Sequence, residues 1–281
     1  MELEAASAQR STWQYDEPSP GAERFISETF DSYQQQARLL IPDQERAAPL
    51  FVVGGARSDF TRLNPLLYRL QALGIGSLTA NLSGHSQASE PGALAPSLRT
   101  NREEALRFHR HIAARCQTVI GHSLGASIAL KLAAQQPAVD KLILICPAVY
   151  PDSAHDAPFG PAFTAAISKP YGFLDCDSFE FLRQFHGRVL LVMGEFDGLN
   201  SQTHGQGAGT SAGTLWLAGA QRYSPIPEEV TRSLLKSVPP PNLQCLLLSN
   251  CDHGVAAHLR SSPLVADQVA QTVAEFIFDA S

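Results

Sequence analysis

The stretch Thr118-Val119-Ile120-Gly121-His122-Ser123-Leu124-Gly125-Ala126 restricts the fold of this chain more than any other. Gln117 to Ile120 is a short β-type apolar run. Leu124, Ile128 and Leu132 then recur every four residues, the spacing of one helix face. Between the two stands G-x-S-x-G, in the strand-then-helix setting that makes this common pattern specific. Such a junction holds the serine at a sharp turn and lifts its hydroxyl out of the sheet. Gly121 and Gly125 leave room where a Cβ would meet a neighbouring strand or helix. The helix N-terminus just past Ser123 aims backbone N–H groups at any negative charge that develops there.

The rest of the chain supplies the framework that such a junction needs. Residues 1–22 are polar, end in Pro18-Ser19-Pro20-Gly21, and read as a loose tail; a single domain is expected over 23–281. Phe25–Phe30 and Gln36–Ile41 suggest two antiparallel strands. From Pro49 onward, apolar strands alternate with helical patterns. Pro49–Val53 precedes a helix opened by Asn64 or Pro65 and stopped by Gly74. Ile75–Leu82 precedes a charged amphipathic helix over Ser97–Cys116, and Asp140–Cys146 follows the Ser123 helix. Alternation of this kind predicts an α/β fold with a mostly parallel sheet covered on both faces.

Residues 147–187, rich in Pro, Gly and aromatics, interrupt the alternation before the strand Arg188–Met193 and read as a small cap over the mouth of a site. Leu199–Gly219 is Gly-, Ser- and Thr-rich and reads as a flexible loop. A helix over Pro227–Val238, a last strand over Leu243–Leu248 and helical sequence from Val255, broken near Pro263, complete the chain.

Composition excludes several classes. At 44% hydrophobic and 17% charged the chain is globular rather than disordered. A net charge of −6 argues against a general nucleic-acid binder. No apolar run approaches the ~18 residues of a membrane span, and Met1-Glu2-Leu3-Glu4 lacks the basic and apolar regions of a signal peptide. The five cysteines (Cys116, Cys146, Cys176, Cys245 and Cys251) are odd in number and show no C-x-x-C spacing, which suits reduced thiols in a cytoplasmic protein. Cys116, Cys146 and Cys245 lie in or beside apolar runs and are expected to pack as small hydrophobes.

A serine hydroxyl is a weak nucleophile until a base removes its proton, and a histidine does this best when an acid fixes its tautomer. Ser123 follows one strand, Asp197 follows Arg188–Met193 in Gly194-Glu195-Phe196-Asp197, and His253 follows Leu243–Leu248 in Asp252-His253-Gly254. Loops at the carboxyl ends of strands are where open α/β sheets bind ligands. In position, order and strand context, these motifs resemble the α/β-hydrolase fold, from about residue 25 to the end. The resemblance implies an eight-stranded sheet, a Ser123–His253–Asp197 triad and neither metal nor redox cofactor. It also implies an oxyanion hole from the N–H groups of Leu124 and of Ala56, which follows Gly54-Gly55 where most relatives carry His-Gly. Asn81–Ser89 is similar to the D-x-x-G-x-G-x-S loop of esterase-like members, departs from it at Asn81, His85 and Ser86, and is assigned only a structural role.

Two other acids compete with Asp197: Glu195 in the same turn, and Asp152 after the strand that ends near Cys146. His122 is expected to point its side chain away from Ser123, in a packing or hydrogen-bonding role rather than a catalytic one, and His109 and His111 to be solvated on their helix. His85, His155, His186, His204 and His258 show no metal-ligand spacing. Arg57, beside the oxyanion loop, is a candidate partner for a carboxylate or phosphate on the substrate, and Tyr150, Phe159 and Phe163 are candidates for an apolar wall. The expected activity is hydrolysis of a small carboxylic ester or thioester with an apolar portion. C–C bond hydrolysis or lysis on the same residues, and ligand binding without catalysis, stand as alternatives.

Overall fold

The computed structural model describes residues 18–85, 93–200 and 213–279. The chain enters through β1 (Ala22–Phe30) and β2 (Tyr33–Ile41), a nine-residue antiparallel hairpin paired from Ala22↔Ile41 to Phe30↔Tyr33. Ser19, just before it, donates to Gln71 Oε1 at 2.9 Å, so the fold already holds the last residues of the expected tail; residues 1–17 lie outside the described part. Then come β3 (Ala47–Val53), α1 (Asn64–Ala72), β4 (Ile75–Ala80), α2 (Leu98–His109), β5 (Thr118–His122), α3 (Leu124–Ala133) and β6 (Lys141–Ile145). Helices α4 (Pro161–Ile167) and α5 (Ser178–Gln184) precede β7 (Arg188–Gly194). A small hairpin of β8 (Thr214–Leu217) and β9 (Ala220–Tyr223) leads to α6 (Glu228–Ser237), β10 (Leu243–Leu248), α7 (Val255–Ser261) and α8 (Pro263–Phe278).

Eight strands form one sheet in the order β1-β2-β4-β3-β5-β6-β7-β10. β2 runs antiparallel to both of its neighbours, and the pairs from β4 onward are parallel. The central strands are short apolar runs, as a sheet buried on both faces requires: β4 is buried at every residue, and so is β5. One core, beneath α1, α7 and α8, gathers Leu66, Leu67, Leu70, Val255, Val269 and Phe276. The opposite core, beneath α2, α3 and α6, gathers Leu98, Phe108, Ile128, Leu132 and Leu234. No helix of the described residues is long and apolar enough to cross a membrane.

Four expectations need correction. The helix expected over 97–116 begins where Ser97 and Thr100 form a reciprocal cap but ends at His109. His109 is buried, 2% exposed, with its ring edge-on to Phe51 at 5.3 Å, because α2 turns that face onto the sheet. Cys245 is exposed, because β10 is an edge strand. Finally, the described end of the expected 199–219 loop is the β8–β9 hairpin, paired from Thr214↔Tyr223 to Leu217↔Ala220. Its turn residues Ala218 and Gly219 have φ of 48° and 74°, the two left-handed residues of a tight hairpin. Residues 201–212, including His204, and residues 86–89 of the Asn81–Ser89 loop lie outside the described part.

Candidate active site

The sheet order brings the ends of β5, β7 and β10 to one edge, and each carries one of the three expected residues. Ser123 is the last residue before α3, at φ 53° and ψ −121°. A non-glycine residue tolerates that conformation only where its surroundings over-determine it. Here the Ser123 N–H donates to Ile145 O at 2.9 Å, and its carbonyl accepts from Ala126 and Ala148, each at 3.0 Å. The flanking glycines allow the close approach: a Cβ on Gly121 would stand 2.6 Å from Ala126 Cα, and one on Gly125 would stand 2.3 Å from Val53 O.

Ser123 Oγ lies 2.8 Å from His253 Nε2. His253 Nδ1 lies 2.9 Å from Asp197 Oδ2. With the acid at Nδ1, that nitrogen carries the proton and donates to the carboxylate, leaving Nε2 to accept from the serine. The Asp197 side chain is fully buried and that of His253 is 8% exposed. In such surroundings a charge-assisted bond is stronger than in water. The two competing acids have other partners. Glu195 Oε2 accepts from the Asn250 N–H at 2.7 Å. Asp152 Oδ1 accepts from Lys131 Nζ at 2.6 Å, and Asp177 accepts from the same ammonium, which fastens α3 to the segment between β6 and β7.

His122 packs against the site without a hydrogen bond to it. Its ring stacks on that of His253 at 6.1 Å, and neither ring nitrogen has a partner among the described residues. Burial, then the neighbouring His253 and Arg62, hold its pKa down at about 3, so it stays neutral beside His253. Cys146 Sγ, an Asp197 carboxylate oxygen and a His253 ring nitrogen lie within 4.8 Å of one another. They are the one group among the described residues with metal-ligand chemistry at such range. Burial, then Asp197, pushes the Cys146 thiol well above its ordinary value, and a cation there would have to displace the His253–Asp197 bond.

A cavity of about 520 Å³ opens over Ser123 and His253. Ala56 lines it, and Gly55 packs so closely that a Cβ would stand 3.0 Å from Ser123 Cβ. Leu124 is the first residue of α3, where its N–H belongs to the unpaired helix start. Tyr150, Phe173, Tyr223, Ile226 and Val230 are among its lining residues. Phe159 and Phe163 are not lining residues. Phe163 stands edge-on to Tyr150 at 5.2 Å, and Phe159 packs on Phe163 at 5.3 Å and His85 at 4.7 Å, one layer back. Arg57 is exposed at φ 55° and does not line the cavity. The lining residues Tyr223, Ile226 and Val230 carry little signal in the sequence beyond Pro225-Ile226-Pro227 between a Gly-rich stretch and a helix.

Residues 50–279 match the model of the family described as the alpha/beta hydrolase family. No curated protein matches the chain in sequence. Among solved structures, the chain is similar to Est1E from Butyrivibrio proteoclasticus with ferulic acid bound, at 16% identity over 90% of this chain and 100% of that one, TM-score 0.62. It is similar to the esterase domain of a Rhodothermus marinus protein at 17% identity over 90% and 96%, TM-score 0.58. It is also similar to naproxen esterase (carboxylesterase NP) from Bacillus subtilis at 13% identity over 90% and 92%, TM-score 0.57. At these identities the likeness is one of fold.

Proposed function

Because the chain belongs to the alpha/beta hydrolase family, we propose that it cleaves carboxylic esters through a Ser123–His253–Asp197 triad and an acyl-enzyme. The observation that carries this reading is the unbroken relay, 2.8 Å from Ser123 Oγ to His253 Nε2 and 2.9 Å from Nδ1 to Asp197. Ser123 Oγ attacks the acyl carbon while Nε2 takes its proton. The tetrahedral oxygen is held by the N–H groups of Ala56 and Leu124. The carbon–oxygen bond to the leaving group breaks as Nε2 returns the proton to it. Water then repeats the sequence in Ser123's place, releasing the acid and the free enzyme. A thioester with an uncharged leaving group suits the same steps.

The substrate proposed is small and uncharged, with an apolar acyl or aryl portion. Tyr150, Phe173, Ile226 and Val230 offer it an apolar wall. No lysine or arginine lines the cavity among the described residues, and residues 201–212, between the lining residues Asn200 and Gly213, contain neither. That disfavours a substrate held by a phosphate or carboxylate, acyl-CoA included. Treatment with a fluorophosphonate probe, followed by peptide mass mapping, should place the label on Ser123. Turnover of p-nitrophenyl esters should exceed that of acyl-CoAs. Labelling elsewhere, or no loss of turnover in Ser123→Ala, would refute the assignment.

A further inference from the structure

His253 follows β10, which is an edge strand with a neighbour, β7, on one side only. A loop there lacks the second strand that steadies the loops after β5 and β7. The end of the β8–β9 hairpin instead meets the loop that follows β10. The His253 N–H donates to Tyr223 O at 2.8 Å, and the Tyr223 N–H donates to Asp252 Oδ2 at 2.8 Å. The other Asp252 oxygen accepts the Gly254 N–H at 2.8 Å, so this carboxylate ties the hairpin to both sides of the histidine. The Tyr223 ring stands at 83° to the imidazole with centroids 5.5 Å apart. One residue earlier, Arg222 donates to Asn250 Oδ1 at 2.8 Å, and its guanidinium lies 4.4 Å above the ring of Phe196, next to Asp197. The hairpin end therefore touches both the loop that carries the base and the loop that carries the acid.

We infer that the β8–β9 hairpin is a clamp for the catalytic histidine, with Tyr223 and Asp252 as its positioning residues. The inference rests on the assignment of His253 as base and gives the hairpin after Asp197 a task. A base that must stay within about 0.5 Å of the productive geometry needs support of this kind. The same tyrosine lines the cavity, so the clamp also supplies part of the cavity lining.

The test compares backbone with side chain. Tyr223→Leu removes the ring and keeps both backbone bonds; Tyr223→Pro removes the ring and the N–H. Asp252→Asn leaves an oxygen for Gly254 and turns an amide donor toward the Tyr223 N–H. Relative to Tyr223→Leu, Tyr223→Pro should lose at least about tenfold in kcat with KM unchanged within about threefold, the signature of a misaligned base rather than a weakened pocket. Asp252→Asn should lose about tenfold in kcat relative to wild type, and Tyr223→Pro combined with Asp252→Asn should be no worse than the larger single loss, because both break one bond. If Tyr223→Pro melts too low to assay, Asp252→Asn decides. Equal kcat in the Leu and Pro variants, or wild-type kcat in Asp252→Asn, overturns the clamp while His253→Gln stays inactive. Turnover retained in His253→Gln overturns the base assignment instead, and the clamp with it.

Discussion

Gly125→Ala adds one methyl group at the tightest backbone approach in the site. An ideal Cβ there stands 2.3 Å from Val53 O and 2.4 Å from Gly54 O, where ordinary contact begins near 3.4 Å. Both neighbours are main chain and cannot rotate aside, so helix and strand must part by about 1 Å in a close-packed interior. What moves is the end of β3, and with it Gly55 and Ala56. A displacement of about 1 Å at a reacting centre costs on the order of 10²-fold in rate, and loss of one oxyanion donor costs about 10²–10³-fold. We therefore expect kcat on a p-nitrophenyl ester to fall about 10²-fold. Overpacking of this kind destabilises by about 1–3 kcal/mol, several degrees of Tm for a domain this large. Initial rates, probe-labelling rates and thermal melts on the same preparation separate the two effects. Wild-type kcat with a lowered Tm would refute the placement of the oxyanion donor at Ala56. Wild-type values of both would refute the rigid packing of the turn.

Asp197→Asn should lower kcat about 10³–10⁴-fold by removing the charge that fixes the His253 tautomer, whereas Asp152→Asn, whose partner is Lys131, should lose less than about tenfold; the reverse ranking in steady-state kinetics would move the acid. Burial holds the pKa of His85, His122 and His155 down at about 4, about 3 and about 4, against an ordinary 6.5. The unfolded chain therefore binds more protons than the folded one below about pH 6.5, and stability should fall as pH drops from there toward 4, by up to about 1.4 kcal/mol per pH unit for each histidine. Urea midpoints across that range check this, His122→Asn should flatten the slope by about one proton, and a flat profile in the wild type would refute it. Phe159→Ala should cost about 1–3 kcal/mol of stability and leave the preference among acyl chain lengths unchanged, while Phe173→Ala should shift that preference about tenfold in relative kcat/KM.

The features legible in the sequence were those written locally. The turn at Ser123, the short turns that carry Asp197 and His253 and the central apolar strands each depend on residues within a few positions of each other, and the structure brings Ser123, Asp197 and His253 together. Features set by sheet order were not legible. Cys245 lies in an apolar run, and only the position of β10 at the edge exposes it. Sequence also carries no side-chain direction: Phe159 and Phe163, which composition suggests for the cavity lining, pack behind Tyr150. The β8–β9 strands are four residues each, too short for alternation to show in a Gly- and Ser-rich stretch.

The spread of the proposed triad along the chain sets when it could work. Ser123 and His253 are 130 positions apart, and Asp197 and His253 are 56. Their meeting waits on the pairing of β10 with β7, a non-local step at the margin of the sheet, and non-local pairings form slowly. During refolding, helix and strand signals should recover before turnover does. Under the proposed roles of Ser123, His253 and Asp197 the chain carries its own clock for completion: turnover would begin only once the outermost strand has docked, so a nascent chain with its first seven sheet strands in place would still be inert.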